Sequence, residues 1–139
     1  MPLHRLIYIS RPVINGHEDI KELLKVSLRN NNAEAISGIL LFTCDWFVQI
    51  IEGSSERLTK TFIRIGHDSR HKDVQLSSFE IIDERAFPEW GMQYVSHNSE
   101  SLKKYHQFFA ARRFNPSEMS PATLEKFALS ATNESCTRQ

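Results

Sequence analysis

Two polar side chains interrupt apolar segments where each could form a buried hydrogen bond. Gln49 lies within Phe47–Ile51, and Tyr8 lies within Leu6–Ser10. Successive side chains of a strand face opposite ways, so each polar side chain shares its face with the residues two positions away. A buried amide without a partner costs about 1–3 kcal/mol, so a core position for Gln49 requires a hydrogen-bonding partner. The open alternative is a glutamine at the sheet edge that bonds to solvent.

Asparagines and histidines form two further candidate sets. Asn30, Asn31 and Asn32 follow an amphipathic segment, and a helix cap explains one asparagine better than three. His67 and His71 are spaced i and i+4, and they could bind zinc if one helix continued through both. No third zinc ligand stands out in the sequence beside them, so the residue types favour recognition by amides over a metal site.

The segments that carry these residues predict the order β-α-β-β-α-β-β. Apolar and β-branched runs predict strands at Leu3–Ser10, Ile36–Thr43, Trp46–Glu52, Val74–Ile82 and Gly91–Ser96. Helical spacing predicts helices at Glu18–Arg29 and from Ser54 or Ser55 through Ile65. This order is that of a ferredoxin-like α+β fold, a mixed sheet with both helices on one face.

The carboxyl-terminal third predicts a cover for the other face of the sheet. Apolar residues at helical spacing predict a third helix with Leu102, Tyr105, Phe108 and Phe109 on one side. Ser120 and Pro121 predict the start of a fourth helix. The sequence therefore predicts two helices on each face of the sheet.

A slot between the first two helices, above an expected parallel pair of central strands, would suit a flat heteroaromatic ring. Apolar side chains would pack against the faces of the ring, and amides at the rim would bind its donor and acceptor edge.

Charge and cysteine usage limit the partners and the compartment. The chain of 139 residues has 17 basic and 17 acidic residues, so no global field favours nucleic acid or an anionic membrane. Cys44 and Cys136 are far apart in sequence, which indicates free thiols in a reducing compartment. The first residues include no apolar stretch long enough for a signal peptide or a membrane span. A cytoplasmic location is therefore expected.

Several segments, taken in order, match the pattern of a known family. They are Leu3–Ser10, Ser27–Asn31, Ile36–Leu41, Phe47–Gly53, Arg64–Ile65, Asp68–His71 and Arg85–Met92. Together they resemble the BLUF family, flavin-based sensors of blue light, over nearly the whole chain. Ser37 and Ala35 stand where the family usually has threonine and glycine, and both replacements are small enough to leave a pocket open.

The resemblance implies that the isoalloxazine ring of FAD, or of FMN or riboflavin, lies between two helices. Asn31 is then expected to bond the pyrimidine edge of the ring, with Asn30 close by. Leu23 and Ile65 are expected to sandwich the ring. The residues implied for the ribityl and phosphate side are Arg64, Asp68, Arg70 and His71.

The resemblance also implies a light response at Tyr8 and Gln49. Excitation would draw an electron and a proton from Tyr8 toward the flavin. Their return would leave the Gln49 amide rearranged, with a new hydrogen bond to the flavin C4 carbonyl. The change would act on the fifth strand, where Trp90 or Met92 takes the position near Gln49, and then on the carboxyl-terminal helices.

These implications divide the chain into a sensor core at 1–97, a helical extension at 98–130 that packs on the sheet, and a tail at 131–139 predicted to be disordered. The expected output is a signal to a separate protein and not catalysis. A homo-oligomer is also expected, with aromatic residues such as Phe108 available for self-association. A light-independent interaction module of the same fold stays open as the alternative, and it predicts a colourless protein.

Overall fold

The computed structural model describes residues 2–13, 22, 25–26, 29, 35–42, 46–88, 91–96 and 115–136, with the backbone alone at 91–96 and 131–136. The strands are β1 at Leu3–Pro12, β2 at Ser37–Phe42, β3 at Phe47–Ser54, β4 at His71–Ile82 and β5 at Gly91–Ser96. The helices are α1 at Ser55–Gly66 and α2 at Pro121–Cys136, with a short 3-10 turn at Pro116–Glu118. Within the predicted helix at Glu18–Arg29, the four described residues 22, 25, 26 and 29 are helical.

The strands form one sheet in the order β4-β1-β3-β2-β5. β1 pairs antiparallel with both β3 and β4, and β2 pairs antiparallel with β3 and parallel with β5. The predicted ferredoxin-like mixed sheet is confirmed. The expected parallel pair of central strands is wrong, because β3 lies between the parallel strands β1 and β2 and runs against both.

Each face of the sheet carries its own apolar core. The face under α1 buries Leu6, Tyr8, Leu40, Phe47 and Ile51 against Leu58 of the helix. The opposite face buries Ile7, Ile9, Ile39, Val48 and Ile50 against Leu124, Phe127 and Ala128 of α2. The strand alternation predicted from sequence therefore holds, and the fourth predicted helix covers the second face. The third predicted helix lies outside the described residues.

Local signals explain where both helices begin. The hydroxyl of Ser54 accepts a hydrogen bond from the backbone N–H of Arg57, which caps α1 as predicted. The hydroxyl of Ser120 accepts from the backbone N–H of Thr123 at 3.1 Å, just before α2 begins. α2 then continues to Cys136, so residues 131–136 of the predicted disordered tail are helical here. Neither described helix has the length and apolarity needed to cross a membrane.

β1 and β4 extend beyond their predicted bounds, which were Leu3–Ser10 and Val74–Ile82. β1 continues past Ser10, because Arg11 and Pro12 pair with the start of β4 across an irregularity in the ladder. α1 ends at Gly66, and His71 begins β4. The condition for a zinc pair at His67 and His71, one helix through both, is therefore not met.

Among the described glycines, Gly38 leaves the least room for a side chain, and its replacement tests the register of β2 on β3. Its φ is +157°, and a Cβ built there would lie 2.1 Å from the Ile50 carbonyl oxygen. We expect Gly38→Ala to lower the free energy of unfolding by about 1–3 kcal/mol, since that backbone oxygen cannot move without breaking the ladder. Urea unfolding followed by circular dichroism measures the change.

Gly66→Ala is the matched control, because a Cβ at Gly66 meets no atom within 4 Å. This variant should be neutral or slightly more stable than the parent protein. Equal stability of Gly38→Ala and the parent would contradict the described register.

Candidate functional site

Tyr8 and Gln49 face each other across the two central strands. They are direct partners in the β1–β3 register, and both point to the face under α1. Tyr8 is 0% exposed and Gln49 is 4% exposed. The Tyr8 phenol donates a hydrogen bond to Oε1 of Gln49. Gln49 is therefore a core amide with a buried partner, and the alternative of a solvent-facing edge glutamine is wrong.

The environment of Tyr8 keeps its phenol protonated. Burial raises the pKa of Tyr8 well above its usual value, and the carboxylate of Asp68 raises the pKa further. A neutral phenol has one proton to donate, and Gln49 Oε1 is aligned to accept it. The pair is therefore a polarised donor and acceptor held in an apolar surrounding, where a hydrogen bond is electrostatically stronger than in water.

Aromatic rings enclose this pair on two sides. The ring of Phe62, from α1, lies 5.8 Å from the Tyr8 ring between centroids. The imidazole of His71 lies 6.1 Å from the Tyr8 ring and 4.9 Å from the Phe47 ring. These contacts limit the orientations that the Tyr8 phenol can adopt, so the hydrogen bond to Gln49 is held in one geometry.

His71 is a buried neutral imidazole. Its Nδ1 lies 2.7 Å from the Ser10 hydroxyl, and its ring is buried beside Tyr8. Burial lowers the pKa of His71 to about 4; the Asp68 carboxylate opposes this shift and the Arg70 guanidinium adds to it. The ring is therefore uncharged near neutral pH and adds no positive charge beside the Tyr8 phenol.

The loop between α1 and β4 carries a bidentate ion pair. Arg70 Nε and Nη2 donate to the two carboxylate oxygens of Asp68 at 3.0 Å and 2.8 Å, and the Arg70 backbone N–H donates to Oδ1 at 2.9 Å. The pKa of Asp68 is lowered chiefly by the Arg70 side-chain hydrogen bonds. The Val13 N–H donates to the Arg70 carbonyl at 2.9 Å, which ties this loop to the end of β1.

The predicted site residues fall into three groups. Tyr8, Gln49 and His71 are buried together, and Ile65 packs against the same core. Arg64 is exposed in the last turn of α1, while Asp68 and Arg70 are half-buried in the following loop. The predicted residues that lie outside the described part are Leu23, Asn30, Asn31, Trp90 and the side chain of Met92.

Two polar residues at this face were missed from sequence. Ser10 bonds His71, and the Thr61 hydroxyl is buried on α1 with no hydrogen-bond partner among the described residues. Thr61 follows Leu58 by three positions on the buried stripe of α1, so a polar residue at an apolar helical position was the available signal. The contact of Ser10 with His71 could not be predicted from sequence, because it depends on the pairing of β1 with β4.

The fold and the buried pair define a class of protein, a ferredoxin-like domain with a hydrogen-bonded phenol and amide buried under one helix. The family model described as BLUF, sensors of blue-light using FAD, matches residues 3–93. The chain therefore belongs to the BLUF family, whose cofactor is a flavin, as the sequence resemblance implied.

Similar sequences include light-regulated proteins that are much longer than this chain. The chain is 35% identical over 92 residues to the photoactivated adenylate cyclase subunit beta of Euglena longa, a match that covers 63% of this chain and 10% of that subunit. It is 31% identical over 94 residues to the blue light- and temperature-regulated antirepressor BluF of Escherichia coli K12, covering 66% and 23%. The chain therefore spans about a tenth of the length of the cyclase subunit that it matches.

Two similar solved structures match nearly end to end. The photo-activated state of BlsA superimposes with a TM-score of 0.81 at 26% identity, covering 93% of this chain and 94% of that one. The dark state of BlrB, a BLUF protein, superimposes with a TM-score of 0.77 at 29% identity, covering 93% and 96%.

The described part of the site has the chemistry that a flavin ring requires. Phe62 and Ile65 of α1 supply apolar contacts beside the sheet, and Gln49 supplies a buried amide that can hydrogen-bond the polar edge of a ring. Thr61 adds a buried hydroxyl that has no partner among the described residues and so is available to a ligand. The residues present on this face therefore fit the family's cofactor.

The buried imidazole of His71 predicts a pH dependence of stability. Its folded pKa of about 4 lies below its unfolded pKa of about 6.5, so the unfolded chain binds the proton more readily. We therefore expect the free energy of unfolding to fall by about 2–3 kcal/mol as the pH falls from about 6.5 to about 4. Asp68 contributes little in this window, because the stability that its lowered pKa provides is lost mainly as the pH falls below about 3.8.

Urea unfolding at several pH values measures the slope, with His71→Asn and His67→Asn as a matched pair. His67 is exposed, so its replacement should leave the slope unchanged. His71→Asn should flatten it. An unaltered slope in His71→Asn would show that this imidazole is not the titrating group.

Proposed function

We propose that this chain is a blue-light sensor whose response is made by Tyr8 and Gln49 beside a bound flavin. The observation that carries the proposal is the buried hydrogen bond from the Tyr8 phenol to the Gln49 amide, on the sheet face that α1 covers. An interaction module without a ligand gives no reason to bury an amide and a phenol together at the centre of the sheet, since an apolar pair would pack there without desolvation cost.

The proposed flavin site combines described and undescribed residues. Asn31 bonds the pyrimidine edge of the ring, with Asn30 adjacent, and Leu23 and Ile65 lie on its two faces. Arg64, Asp68, Arg70 and His71, at and just after the carboxyl-terminal end of α1, would hold the ribityl and phosphate groups. FAD is the proposed ligand, and FMN or riboflavin satisfy the same ring contacts.

The flavin supplies light absorption and one-electron chemistry, while the protein supplies a proton path and a second arrangement of hydrogen bonds. Tyr8 would lose one electron to the flavin and its Oη proton along the bond to Gln49 Oε1, and both would return to it in the dark reaction. Loss of the electron and the proton together avoids the charged phenolate, which the raised pKa of Tyr8 disfavours at this site. Gln49 is suited to hold two states, since its amide presents both N–H donors and an oxygen acceptor. After the rearrangement, the Gln49 amide N–H would donate to the flavin C4 carbonyl.

The proposed output path leads through β5 to the carboxyl-terminal helices. β5 pairs with β2, which pairs with the Gln49 strand, so a shift of β5 at Met92 or Trp90 is two strands from the switch pair. The core at 1–97 then acts as the sensor, and the extension at 98–130 carries the change to a separate protein. The chain signals and does not catalyse, forms a homo-oligomer, and works in the cytoplasm.

Replacement of Gln49 tests the switch residue directly. We expect the purified protein to be yellow, with flavin bands that shift slightly to the red under blue light and recover in darkness. Gln49→Leu should keep the flavin and lose the shift, because leucine offers neither donor nor acceptor. Gln75→Leu is the matched control, since Gln75 is exposed on β4 and should leave the shift intact. A colourless protein that takes up no added flavin would support the light-independent interaction module.

Replacement of Tyr8 tests the proton donor. Tyr8→Phe keeps the ring that packs against Phe62 and removes the hydroxyl that bonds Gln49. We expect flavin binding to persist and the reversible red shift to disappear, with longer-lived flavin fluorescence because the electron donor is gone. Time-resolved fluorescence and dark-minus-light absorption measure both effects. A normal red shift in Tyr8→Phe would exclude Tyr8 from the light reaction.

A further inference from the structure

A fully buried carboxylate lies on the sheet face opposite to Tyr8 and Gln49. Glu52 of β3 is 0% exposed and belongs to no part of the proposed light reaction. Its Oε2 accepts hydrogen bonds from Arg5 Nε at 2.8 Å and from the Ala86 backbone N–H at 3.1 Å, and its Oε1 accepts from the Phe87 N–H at 2.9 Å. The carboxylate therefore holds the loop that enters β5.

The same loop is fastened to the sheet a second time. Arg85 Nη1 donates to the Ser37 hydroxyl at 2.6 Å and to the Glu52 carbonyl at 2.9 Å. Arg85 Nη2 donates to the Ala35 carbonyl at 3.0 Å. The position of residues 85–87 is thus set by charged and backbone hydrogen bonds to β2 and β3, directly before the strand proposed to move.

Arg5 joins this loop anchor to the carboxyl-terminal helix. Its Nε bonds Glu52, while its Nη1 donates to Glu125 Oε1 of α2 at 2.6 Å. The Arg5 side chain is 10% exposed and that of Glu125 is 31% exposed. One guanidinium is therefore divided between a buried carboxylate that cannot be left unpaired and a half-exposed one that water can solvate.

We propose that Arg5 is a positioning residue that couples the loop at 85–87 to α2. Its guanidinium binds both Glu52 and Glu125 in one position of the loop, and Glu52 alone in the other. This inference rests on the proposed light response. When the loop shifts, Ala86 withdraws its N–H from Glu52 Oε2, and the buried carboxylate must replace that bond. The guanidinium turns to bind Glu52 through two N–H groups, as its fork geometry allows, and releases Glu125.

The asymmetry of burial sets the direction of this exchange. Breaking the bond to Glu52 would leave a charge without a partner inside the protein, whereas Glu125 exchanges its partner for solvent at little cost. The loss of the Arg5 contact loosens α2 from the sheet while the apolar contacts of Leu124 and Phe127 retain it. α2 is therefore held to the sheet either by apolar contacts and the Arg5–Glu125 ion pair together or by the apolar contacts alone. The exchange takes place on the sheet face opposite to the proposed flavin site.

Hydrogen exchange of α2 in the full flavin-loaded protein tests the proposal, with Glu125→Gln as the variant and Lys126→Gln as the matched control. Lys126 is the exposed neighbour on the same helix. In the parent protein, blue light should speed exchange across 121–136 by about two- to fivefold, the size expected for a partly exposed ion pair. Glu125→Gln should show this faster exchange already in the dark, with no further change in light.

The red shift of the flavin band serves as an independent readout, and Glu125→Gln should retain it because Glu125 lies far from the Tyr8 face. Lys126→Gln should behave as the parent protein in both measurements. A parent protein that shows the red shift but no change in α2 exchange would overturn the proposed coupling, as would a parent-like light response in Glu125→Gln. Absence of the red shift from the parent protein would instead contradict the proposed function.

Discussion

The hydrogen bond between Tyr8 and Gln49 can form only where two strands bring a phenol and an amide face to face and exclude water. That requirement explains the central position of β1 and β3, with β4, β2 and β5 beside them and a helix above the pair. Tyr8 is fully buried, so its phenol keeps its proton and depends on Gln49 as an acceptor. The neutral His71 imidazole and the ion pair of Asp68 with Arg70 complete a surrounding in which few charges compete for that proton.

The sheet separates two kinds of chemistry by the alternation of its strands. β3 carries Gln49 toward α1 and Glu52 toward α2, so two residues three positions apart on one strand face the proposed light reaction and the proposed output. A rigid strand that bears one group on each face can connect the two sides without a path through the apolar cores. The buried ion pair of Arg5 with Glu52 is then better understood as a geometric constraint than as a source of stability, because desolvation of both charges offsets most of their attraction.

Much of this arrangement could be predicted from the sequence, because it follows from local patterns. Alternation placed Tyr8 and Gln49 on one face, and Ser54 and Ser120 marked the starts of both described helices. Properties that arise from long-range pairing were missed. The antiparallel central pair and the extension of β1 to Pro12 depend on which strands become neighbours, and local propensity carries no such information.

The candidate site shows the same division between local and long-range information. The resemblance placed His71 with the ribityl side, and the structure adds that β4 pairing brings its ring against Tyr8 and Phe47. The links from Glu52 to Arg5 and to the loop before β5 join segments more than thirty residues apart, so no spacing in the sequence indicated them. The roles of Leu23, Asn30, Asn31 and Trp90 stay predictions, since these residues lie outside the described part of the chain.

The most direct test of the central claim is the light-minus-dark infrared difference spectrum of the flavin-loaded protein. If illumination rearranges the Gln49 amide to donate to the flavin, the stretching band of the flavin C4 carbonyl must move to lower frequency and return in darkness. A C4 carbonyl band that does not move under blue light, in a protein that holds flavin, would contradict the account.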